Sequence, residues 1–594
     1  MKALFRSRVL SGTALLVFVA GVTYACEDFL TSPPQGSLDE GTLANKAGVE
    51  GSLIAAYRIL DHNTGVGGAW GSAASNWVWG SATSDDAYKG SEATDQPPIT
   101  DIELYNWSTG GAEDYLNDVW RHRYEGVVRA NATINLLNSV VEADPDEISQ
   151  ADQNSIRGEA LFLRAHYHFE SWRLWENIPY YTEDDTTFYK PNMASDAVMD
   201  SILADLNEAK DLLPASPRNG EVGRVTSWTA KAYKGMVQMY DGDYAGALGT
   251  LTEVRNSGVY ALEQDFSRVW TGFSAYSNGA ETILAYQASA NDGEPNANNA
   301  NWGERLNFPH SGSPFGCCGF HQPSQNMVNF FQVDAQGLPL ALTAPFATWN
   351  ARDANLDALA SATMLLDPRL DWTVGRDGVP YKDWGLHEAG WIRAPGYGGP
   401  YSPKKSAYED ASGAAASVGW VPTQTSSMNI HILRYADLLL LLAEAEVEVG
   451  SLGNACTIVN QIRTRAGVAA QGPDGGPMVV DPDDTSITWA DYEIENYDCA
   501  TDFATQADAR TRVRIERRLE LAMEGQRFFD LKRWGIAEQV LNEFLGAEVN
   551  RRQYLNGASP FAARHYLFPI PAFQRELSGK DEAGNEILTQ NPGW

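Results

Sequence analysis

The stretch IERRLELAMEGQRFFDLKRWG occupies residues 515–535 and carries the clearest structural signal in the chain. In its first half, apolar residues recur every three or four positions, which predicts an amphipathic helix. Gly525 is predicted to end that helix, and a second apolar segment follows it. The charged residues between the apolar positions, such as Glu516 and Glu520, are predicted to form a solvated face. The apolar positions are Ile515, Leu519 and Ala522, then Phe528, Phe529, Leu531 and Trp534.

The charge of the chain limits its partners. It carries 77 acidic and 44 basic residues, which gives a net charge of −33. Nucleic acids and anionic lipid surfaces require clustered Lys and Arg, so this balance excludes both as partners. Hydrophobic residues make up 43% of the chain, which is typical of a folded protein. The 18 Trp residues include several in loops, where indole rings are suited to stacking on a sugar.

The first 25 residues form a predicted export signal. Basic residues precede a short apolar run at 9–22, and Cys26 follows at the distance of a cleavage site. Cys26 is therefore predicted to become the lipidated first residue of a lipoprotein, although Thr23 and Tyr24 depart from the usual lipobox. No other run reaches about 18 apolar residues, so no further membrane span is predicted.

Helical periodicity predicts paired helices in the rest of the chain. One pair covers 224–240 and 244–256, and a second covers 432–449 and 455–466. Such pairs are typical of tetratricopeptide-like scaffolds, in which each hairpin buries one face against the next. Further single helices are predicted at 53–60, 119–139 and 156–175.

Long stretches with little periodicity separate these helices. They cover about 62–115, 262–430 and 467–510. Loops this long in a compact protein are usually functional or disordered. The predicted fold is therefore mainly α, a tetratricopeptide-like helical-hairpin scaffold with long irregular loop insertions.

Several segments together resemble the RagB/SusD family of outer-membrane nutrient-binding lipoproteins. The stretch at 515–535 resembles the signature helix of that family, and CEDFL at 26–30 resembles its common mature start. These segments occur in the family's order from Cys26 to the end of the chain. The others are GEALFLRAHYHFESWRLWENIPY, GRVTSWTAKAYKGMVQMYDGDY, RYADLLLLLAEAEVEVG, NQIRTRAG, YLFPIP and LTQNPGW.

The resemblance implies an architecture and a function. It implies a signal peptide at 1–25 and a single SusD-like domain at 26–594, anchored through Cys26 on the surface of the outer membrane. It also implies binding of a nutrient oligosaccharide, without a cofactor, and delivery to a SusC-like TonB-dependent transporter that the protein covers as a lid. A peptide is the alternative ligand, and a secreted glycoside hydrolase is the alternative class of protein.

The first long loop is rich in aromatic residues with amide and carboxylate groups beside them. Flat rings can stack on a pyranose face, and Asn or Asp side chains can bond to sugar hydroxyls. Trp77 and Trp79 lie two positions apart, which predicts that both lie on one face of a β-strand. The alternative for each Trp is a role in the core. The predicted ligand-binding residues are Trp70, Asn76, Trp77, Trp79, Asp85 and Trp107, with Trp302 and Phe320 from the second long loop.

The cysteines suggest disulfides rather than a metal site. Cys317 and Cys318 are adjacent in WGERLNFPHSGSPFGCCGFH at 302–321, a spacing that matches no common zinc site. A vicinal disulfide and two free thiols both remain open for this pair. Cys456 and Cys499 are predicted to form the remaining disulfide.

No pattern marks a catalytic site. The chain contains no G-x-S-x-G, and His166 and His168 lie two positions apart on a predicted helix, so they point in nearly opposite directions. No two carboxylates stand out as a glycosidase pair. The acidic residues at 481–484 match no EF-hand and are predicted to form a solvated loop. The protein is therefore predicted to bind its ligand without catalysing a reaction.

Overall fold

The structure is a computed structural model that describes residues 43–62, 68, 70–310, 312–351, 365–419, 422–468, 470–472, 475–478 and 486–594. The predicted signal peptide, Cys26 and the acidic residues at 481–484 lie outside this description. Across the described ranges, no helix has the length and apolar character that crossing a membrane requires.

Helices dominate the described chain. Residues 77–82 form a π-helix, and the short strands pair two by two. The α-helices are α1 (Lys46–Tyr57), α2 (Pro97–Glu103), α3 (Gly110–Ala143), α4 (Gln150–Trp175), α5 (Ser195–Leu212), α6 (Ser227–Asp241), α7 (Tyr244–Ser257), α8 (Gln325–Phe330), α9 (Leu340–Thr343), α10 (Phe346–Trp349), α11 (Leu370–Thr373), α12 (Pro395–Gly398), α13 (Tyr435–Val449), α14 (Leu452–Gly467), α15 (Gln506–Leu521), α16 (Arg527–Arg533), α17 (Ala537–Glu548) and α18 (Ala572–Ser578). The strands are β1 (Ala87–Gly90), β2 (Thr282–Tyr286), β3 (Phe320–Pro323), β4 (Leu365–Leu366), β5 (Val374–Gly375), β6 (Ser402–Pro403), β7 (Ile430–Arg434), β8 (Ala470–Gln471), β9 (Pro477–Met478) and β10 (Asp491–Tyr492). The pairs are β1 with β3, β2 with β7, β4 with β10, β5 with β6 and β8 with β9.

The long helices pack on their neighbours in sequence. Helix α4 packs on α3 and α5, α6 packs on α5 and α7, and α13 packs on α7, α14 and α15. Their apolar faces meet in a shared core, as a stack of helical hairpins requires, and α4 and α13 are buried along most of their length. The predicted mainly α scaffold with tetratricopeptide-like hairpins is confirmed.

Local capping explains the hairpin of α6 and α7. Thr226 and Thr229 form a capping box at the start of α6. Gly242 ends the helix in the left-handed conformation that glycine adopts readily, and the Asp243 side chain then accepts the backbone N–H of Gly246 to start α7. The observed bounds therefore lie within a few residues of the predicted ones.

The second hairpin begins later than predicted. Residues 432–434 were predicted as helix, but they belong to β7, which pairs antiparallel with β2. Helix α13 starts only at Tyr435, whose N–H donates to the carbonyl of Glu281. The pairing joins β2, inside the 262–430 insertion, to β7 at its far end, so a contact between residues distant in sequence overrides the local helical pattern.

The predicted solvated face of α15 is wrong, because its charged side chains are buried. Glu516 is fully buried and accepts hydrogen bonds from Arg369 at 2.6 Å and from Arg463 at 3.1 Å. Glu520 is also fully buried and accepts from Arg434 at 2.8 Å and from Arg465. These arginines come from α14, from β7 and from the 262–430 insertion, so the periodicity of α15 alone does not reveal that this face is covered.

The same helix also binds the first long loop. Arg518 lies 3.1 Å from a carboxylate oxygen of Asp85 and 3.2 Å from one of Asp86. Arg527, at the start of α16, lies 2.7 Å from Asp85. Residues 515–535 therefore connect the helical scaffold to the first loop and to the 262–430 insertion through buried ion pairs.

Candidate functional site

Most of the aromatic residues predicted to bind ligand are buried. Trp77, Trp79, Trp107 and Phe320 have no exposed surface. The prediction that these four rings face a ligand is therefore wrong for this structure, and the alternative of a core role describes them.

Residues 77–82 form a π-helix rather than the predicted strand. The indole N–H of Trp77 donates to the carbonyl of Gly303 at 3.1 Å, and that of Trp79 donates to the carbonyl of Gly71 at 2.5 Å. Gly80 lies against the backbone of Gly525, and a Cβ atom there would overlap the Gly525 carbonyl. This close approach to the 515–535 segment buries both indoles.

Trp107 and Phe320 also pack within the core. Trp107 stacks on Phe568 with ring centroids 3.9 Å apart and lies near Trp594 at 5.8 Å. Phe320 contacts Trp77 edge to face at 6.3 Å. The C-terminal segment therefore covers Trp107, which local sequence around residue 107 does not indicate.

Asn76 and Asp85 are buried and bound to other side chains, so their prediction as ligand contacts is also wrong. The Asn76 amide donates to Glu170 at 2.9 Å and accepts from Arg123 at 2.8 Å. Burial alone would raise the pKa of Asp85, but Arg518 and Arg527 lower it to about 2. Its carboxylate is thus ionised and engaged in ion pairs instead of facing a ligand.

The two remaining predicted rings, Trp70 and Trp302, keep part of their surface exposed and lie close together. The guanidinium carbon of Arg305 lies 4.8 Å from the ring centroid of Trp302 and 5.9 Å from that of Trp70. The imidazole of His62 lies 5.9 Å from the Trp302 ring. We call these four residues, His62, Trp70, Trp302 and Arg305, the indole cluster.

Local hydrogen bonds hold the cluster in place. The Trp302 indole N–H donates to the carbonyl of Ala297 at 2.6 Å. Arg58 donates to the carbonyl of His62 at 2.7 Å. Burial lowers the pKa of His62 to about 3, so this imidazole is neutral, while burial lowers the pKa of Arg305 only to about 10, so the guanidinium stays cationic. The cluster thus presents two partly exposed rings in front of one buried positive charge.

Two carboxyl groups lie behind the cluster. Glu304 accepts from Ser75 and from Asn307, and burial raises its pKa to about 7. Asp61 accepts the backbone N–H groups of Ala74 and Gly303 at 2.9 and 3.2 Å. Both carboxyl groups are buried and hydrogen-bonded to the protein, so the partly exposed groups of the cluster are its two indole rings.

A groove that was not predicted from the sequence lies against α3, and we call it the α3 groove. Its volume is about 370 Å³, and it runs along α3 beside the segment at 179–190. Phe188 and Tyr189 are exposed at its edge. The aromatic pairs at 180–181 and 188–189 are the sequence feature that could have indicated the groove, but they lie in the connection at 176–194, where no periodicity marks them.

The two cysteine predictions have definite outcomes. Cys456 and Cys499 form the predicted disulfide. Cys317 and Cys318 form a vicinal disulfide, one of the two possibilities that the sequence left open. Within the described ranges, His, Cys, Asp and Glu side chains form no group of three or more that could hold a metal ion.

Comparisons with known proteins agree with this architecture. SusD-like protein P38 from Formosa agariphila is 25% identical over 554 residues, which cover 91% of this chain and 94% of that protein. A SusD-like protein from Bacteroides ovatus is 22% identical, covering 92% of this chain and 86% of that protein.

Solved structures show the same fold. A SusD superfamily protein from Bacteroides vulgatus superposes with a TM-score of 0.65 at 20% identity, covering 94% of this chain and 99% of that one. Surface glycan-binding protein A from Bacteroides thetaiotaomicron, in complex with laminarihexaose, superposes with a TM-score of 0.63 at 19% identity, covering 92% of this chain and 99% of that one.

Two family models match the chain. The model described as "Starch-binding associating with outer membrane" matches residues 68–238. The model described as "SusD family" matches residues 280–594, more than half of the chain. The chain therefore belongs to the SusD family.

Proposed function

We propose that this protein binds a nutrient oligosaccharide at the indole cluster and passes it to a SusC-like TonB-dependent transporter. The observation that carries the proposal is the position of two partly exposed indoles, Trp70 and Trp302, around the guanidinium of Arg305. Indole faces offset the desolvation of a sugar ring, and the buried guanidinium of Arg305 lies within cation–π distance of both rings. Relatives of the same fold include a laminarin-binding SusD-like protein and the complex with laminarihexaose, which support a glycan as the ligand.

The first test is glycan binding by the purified protein. Wild type and a variant with Trp70→Ala and Trp302→Ala are titrated calorimetrically with laminarihexaose, cellohexaose, maltohexaose and xylohexaose. We expect wild type to bind at least one, and the double variant to lose at least about ten-fold in affinity at the cluster. Trp228→Ala is the matched control, because Trp228 is also partly exposed but lies on α6. Equal binding by wild type and the double variant would remove the cluster from the proposal.

The alternatives give different results in the same samples. A secreted glycoside hydrolase would release reducing ends from these oligosaccharides during prolonged incubation, whereas we expect none above a heat-inactivated control. A peptide-binding relative would bind mixed-sequence peptides and none of the glycans. Either result would overturn the proposal that this protein binds glycans without cleaving them.

The proposal also includes an outer-membrane lipid anchor at Cys26 and a surface position above the transporter. The sequence supports the anchor through the export signal that precedes Cys26. In the native host, wild type should incorporate labelled palmitate and fractionate with the outer membrane, and Cys26→Ser should do neither. A tagged wild-type protein should also co-purify with a TonB-dependent transporter from detergent-solubilised outer membrane. Recovery without such a transporter would contradict the delivery step.

A further inference from the structure

The α3 groove lies on the opposite side of helix α3 from the indole cluster. On one side of α3, the His122 ring nitrogen lies 3.1 Å from the carbonyl of Asp61, which immediately precedes His62 of the cluster. Tyr124 lines the groove and follows His122 by two positions, which corresponds to a rotation of about 200° around the helix. The two surfaces are therefore separated by the helix itself.

Aromatic rings form the walls of the α3 groove. The rings of Tyr124 and Tyr181 meet edge to face with centroids 5.8 Å apart. Phe188 is 87% exposed and Tyr189 is 48% exposed at the edge of the same groove. Ligand clefts are lined mainly by apolar and aromatic side chains, and these two exposed rings add such a surface to the edge of the groove. The volume of about 370 Å³ is within the range of about 300–1,000 Å³ that is usual for ligand clefts.

Hydrogen bonds fix these rings on the helix. The Asn135 amide donates to the carbonyl of Glu183 at 3.0 Å, and the Tyr124 hydroxyl donates to the carbonyl of Pro179 at 2.8 Å. Within the loop, the Tyr181 hydroxyl donates to the carbonyl of Phe188 at 2.7 Å. The segment at 179–190 is therefore attached to α3 at several points, and a preorganised groove loses little conformational entropy when it binds.

The charges in the groove are paired within the protein. Lys190 lies 2.8 Å from Asp185, and Glu183 pairs with Arg157 at 3.2 Å and with Arg164. These pairs leave no excess of positive charge for an anionic ligand, and the net charge of −33 disfavours one further. The combination of paired charges, planar amides and exposed rings matches an uncharged polyol with apolar ring faces.

We propose that the α3 groove is a second carbohydrate-binding site, which takes a neutral oligosaccharide by stacking on Phe188 and Tyr189. It uses none of the residues of the indole cluster. A protein with two such sites can hold two stretches of one long glycan, so the apparent affinity for a polymer would exceed that for a short oligosaccharide.

Four proteins test the second site: wild type, Trp70→Ala with Trp302→Ala, Phe188→Ala with Tyr189→Ala, and all four substitutions combined. Each is titrated calorimetrically with four neutral hexasaccharides: laminarihexaose, cellohexaose, maltohexaose and xylohexaose. An oligogalacturonate is titrated in parallel as an anionic ligand. We expect the Trp double variant to retain binding of one neutral hexasaccharide per protein. Adding the groove substitutions should weaken that binding by at least about ten-fold.

The outcomes separate this proposal from the proposed function. If the Trp double variant binds no hexasaccharide while wild type does, the second site is overturned and the indole cluster stands. If only the groove substitutions abolish binding, the groove stands and the cluster is overturned. If wild type binds no neutral hexasaccharide, or binds only the oligogalacturonate, the proposal that the groove binds neutral glycans is overturned. Tyr276→Ala controls for removal of an exposed ring, because Tyr276 is 37% exposed and lies outside both surfaces.

Discussion

At the scale of single residues, the buried ion pairs of α15 explain how so polar a helix lies in the interior. Burial alone would raise the pKa of Glu520, but Arg465, Arg434 and Arg369 together lower it far below its usual value. The folded state therefore strongly favours the ionised carboxylate. The three arginines in turn need that negative charge to balance their own buried positive charges. A buried pair contributes little compared with an apolar pair, but breaking one is costly because a charge remains buried without its partner.

Glu520→Gln tests this dependence. The variant leaves the three arginines around position 520 with one negative charge fewer, so we expect the free energy of unfolding to fall by about 3–5 kcal/mol. Urea unfolding followed by tryptophan fluorescence gives the measurement. Glu538→Gln, at an exposed position on α17, should change it by less than about 0.5 kcal/mol. An unchanged free energy of unfolding in Glu520→Gln would mean that the buried network contributes no net stability.

Glu304 should make stability depend on pH in the opposite sense to a salt-bridged carboxylate. Burial raises its pKa to about 7, above the unfolded value of 4.5, so the folded state retains a proton that the unfolded state has lost. This contribution is complete below pH 4.5 and is lost as pH rises towards 7. Between pH 5 and 8 it corresponds to a loss on the order of 2 kcal/mol.

Glu304→Gln replaces the titrating carboxyl group by a polar amide that does not titrate, so the difference in proton binding between the folded and unfolded states is lost at this position. The difference in unfolding free energy between the variant and wild type should therefore move in favour of the variant as pH rises from 5 to 8. Other groups titrate in both proteins and cancel in this difference. Parallel pH profiles for the two proteins would show that Glu304 is not protonated in the folded state.

At the scale of elements, a contact between two glycines connects the first long loop to the 515–535 segment. Gly80 in the π-helix lies against the carbonyl of Gly525, which itself has a φ of +70° beside Ser75. Gly80→Ala would force these backbones apart, and we expect a loss of about 1–3 kcal/mol. Gly249→Ala, exposed in α7 with no atom nearby, should instead stabilise by about 0.5–1 kcal/mol. Equal effects in thermal or urea unfolding would contradict the close contact.

The elements that were predicted correctly are those that local sequence determines. Helix α4 and the hairpin of α6 and α7 follow from periodicity and from turn residues such as Gly242. The environment of Trp77, Trp79 and Asp85 depends instead on segments more than two hundred residues away, including Gly303 and Arg527. Local patterns carry no information about such partners, so they do not distinguish buried loop aromatics from ligand contacts. Only Trp70 and Trp302 keep the predicted partial exposure.

At the scale of the whole molecule, the loop insertions are part of the core rather than appendages on a helical scaffold. Arg369 from the 262–430 insertion and Asp85 from the first loop both pair with the α15–α16 segment. Removing either insertion would leave buried charges in the scaffold without partners. We therefore expect the scaffold and its binding surfaces to unfold together, with coincident transitions by far-ultraviolet circular dichroism and by tryptophan fluorescence.

The 467–510 insertion is instead linked to helix α14 by a disulfide near its C-terminal end. Cys456 on α14 joins Cys499 across 43 residues, and Asn460 exchanges hydrogen bonds with the backbone of Tyr497 beside it. Closing a loop of this length restricts the unfolded chain, so replacing both cysteines by alanine should lower the free energy of unfolding by about 2–4 kcal/mol.

The matched control replaces the adjacent Cys317 and Cys318, which close no comparable loop and should cost less. Similar losses in urea unfolding for the two double variants would mean that packing at the cysteines, rather than loop closure, sets the effect. Because the Asn460 contacts remain in the Cys456 and Cys499 variant, glycan affinity at the indole cluster should stay within about two-fold of wild type in calorimetric titration.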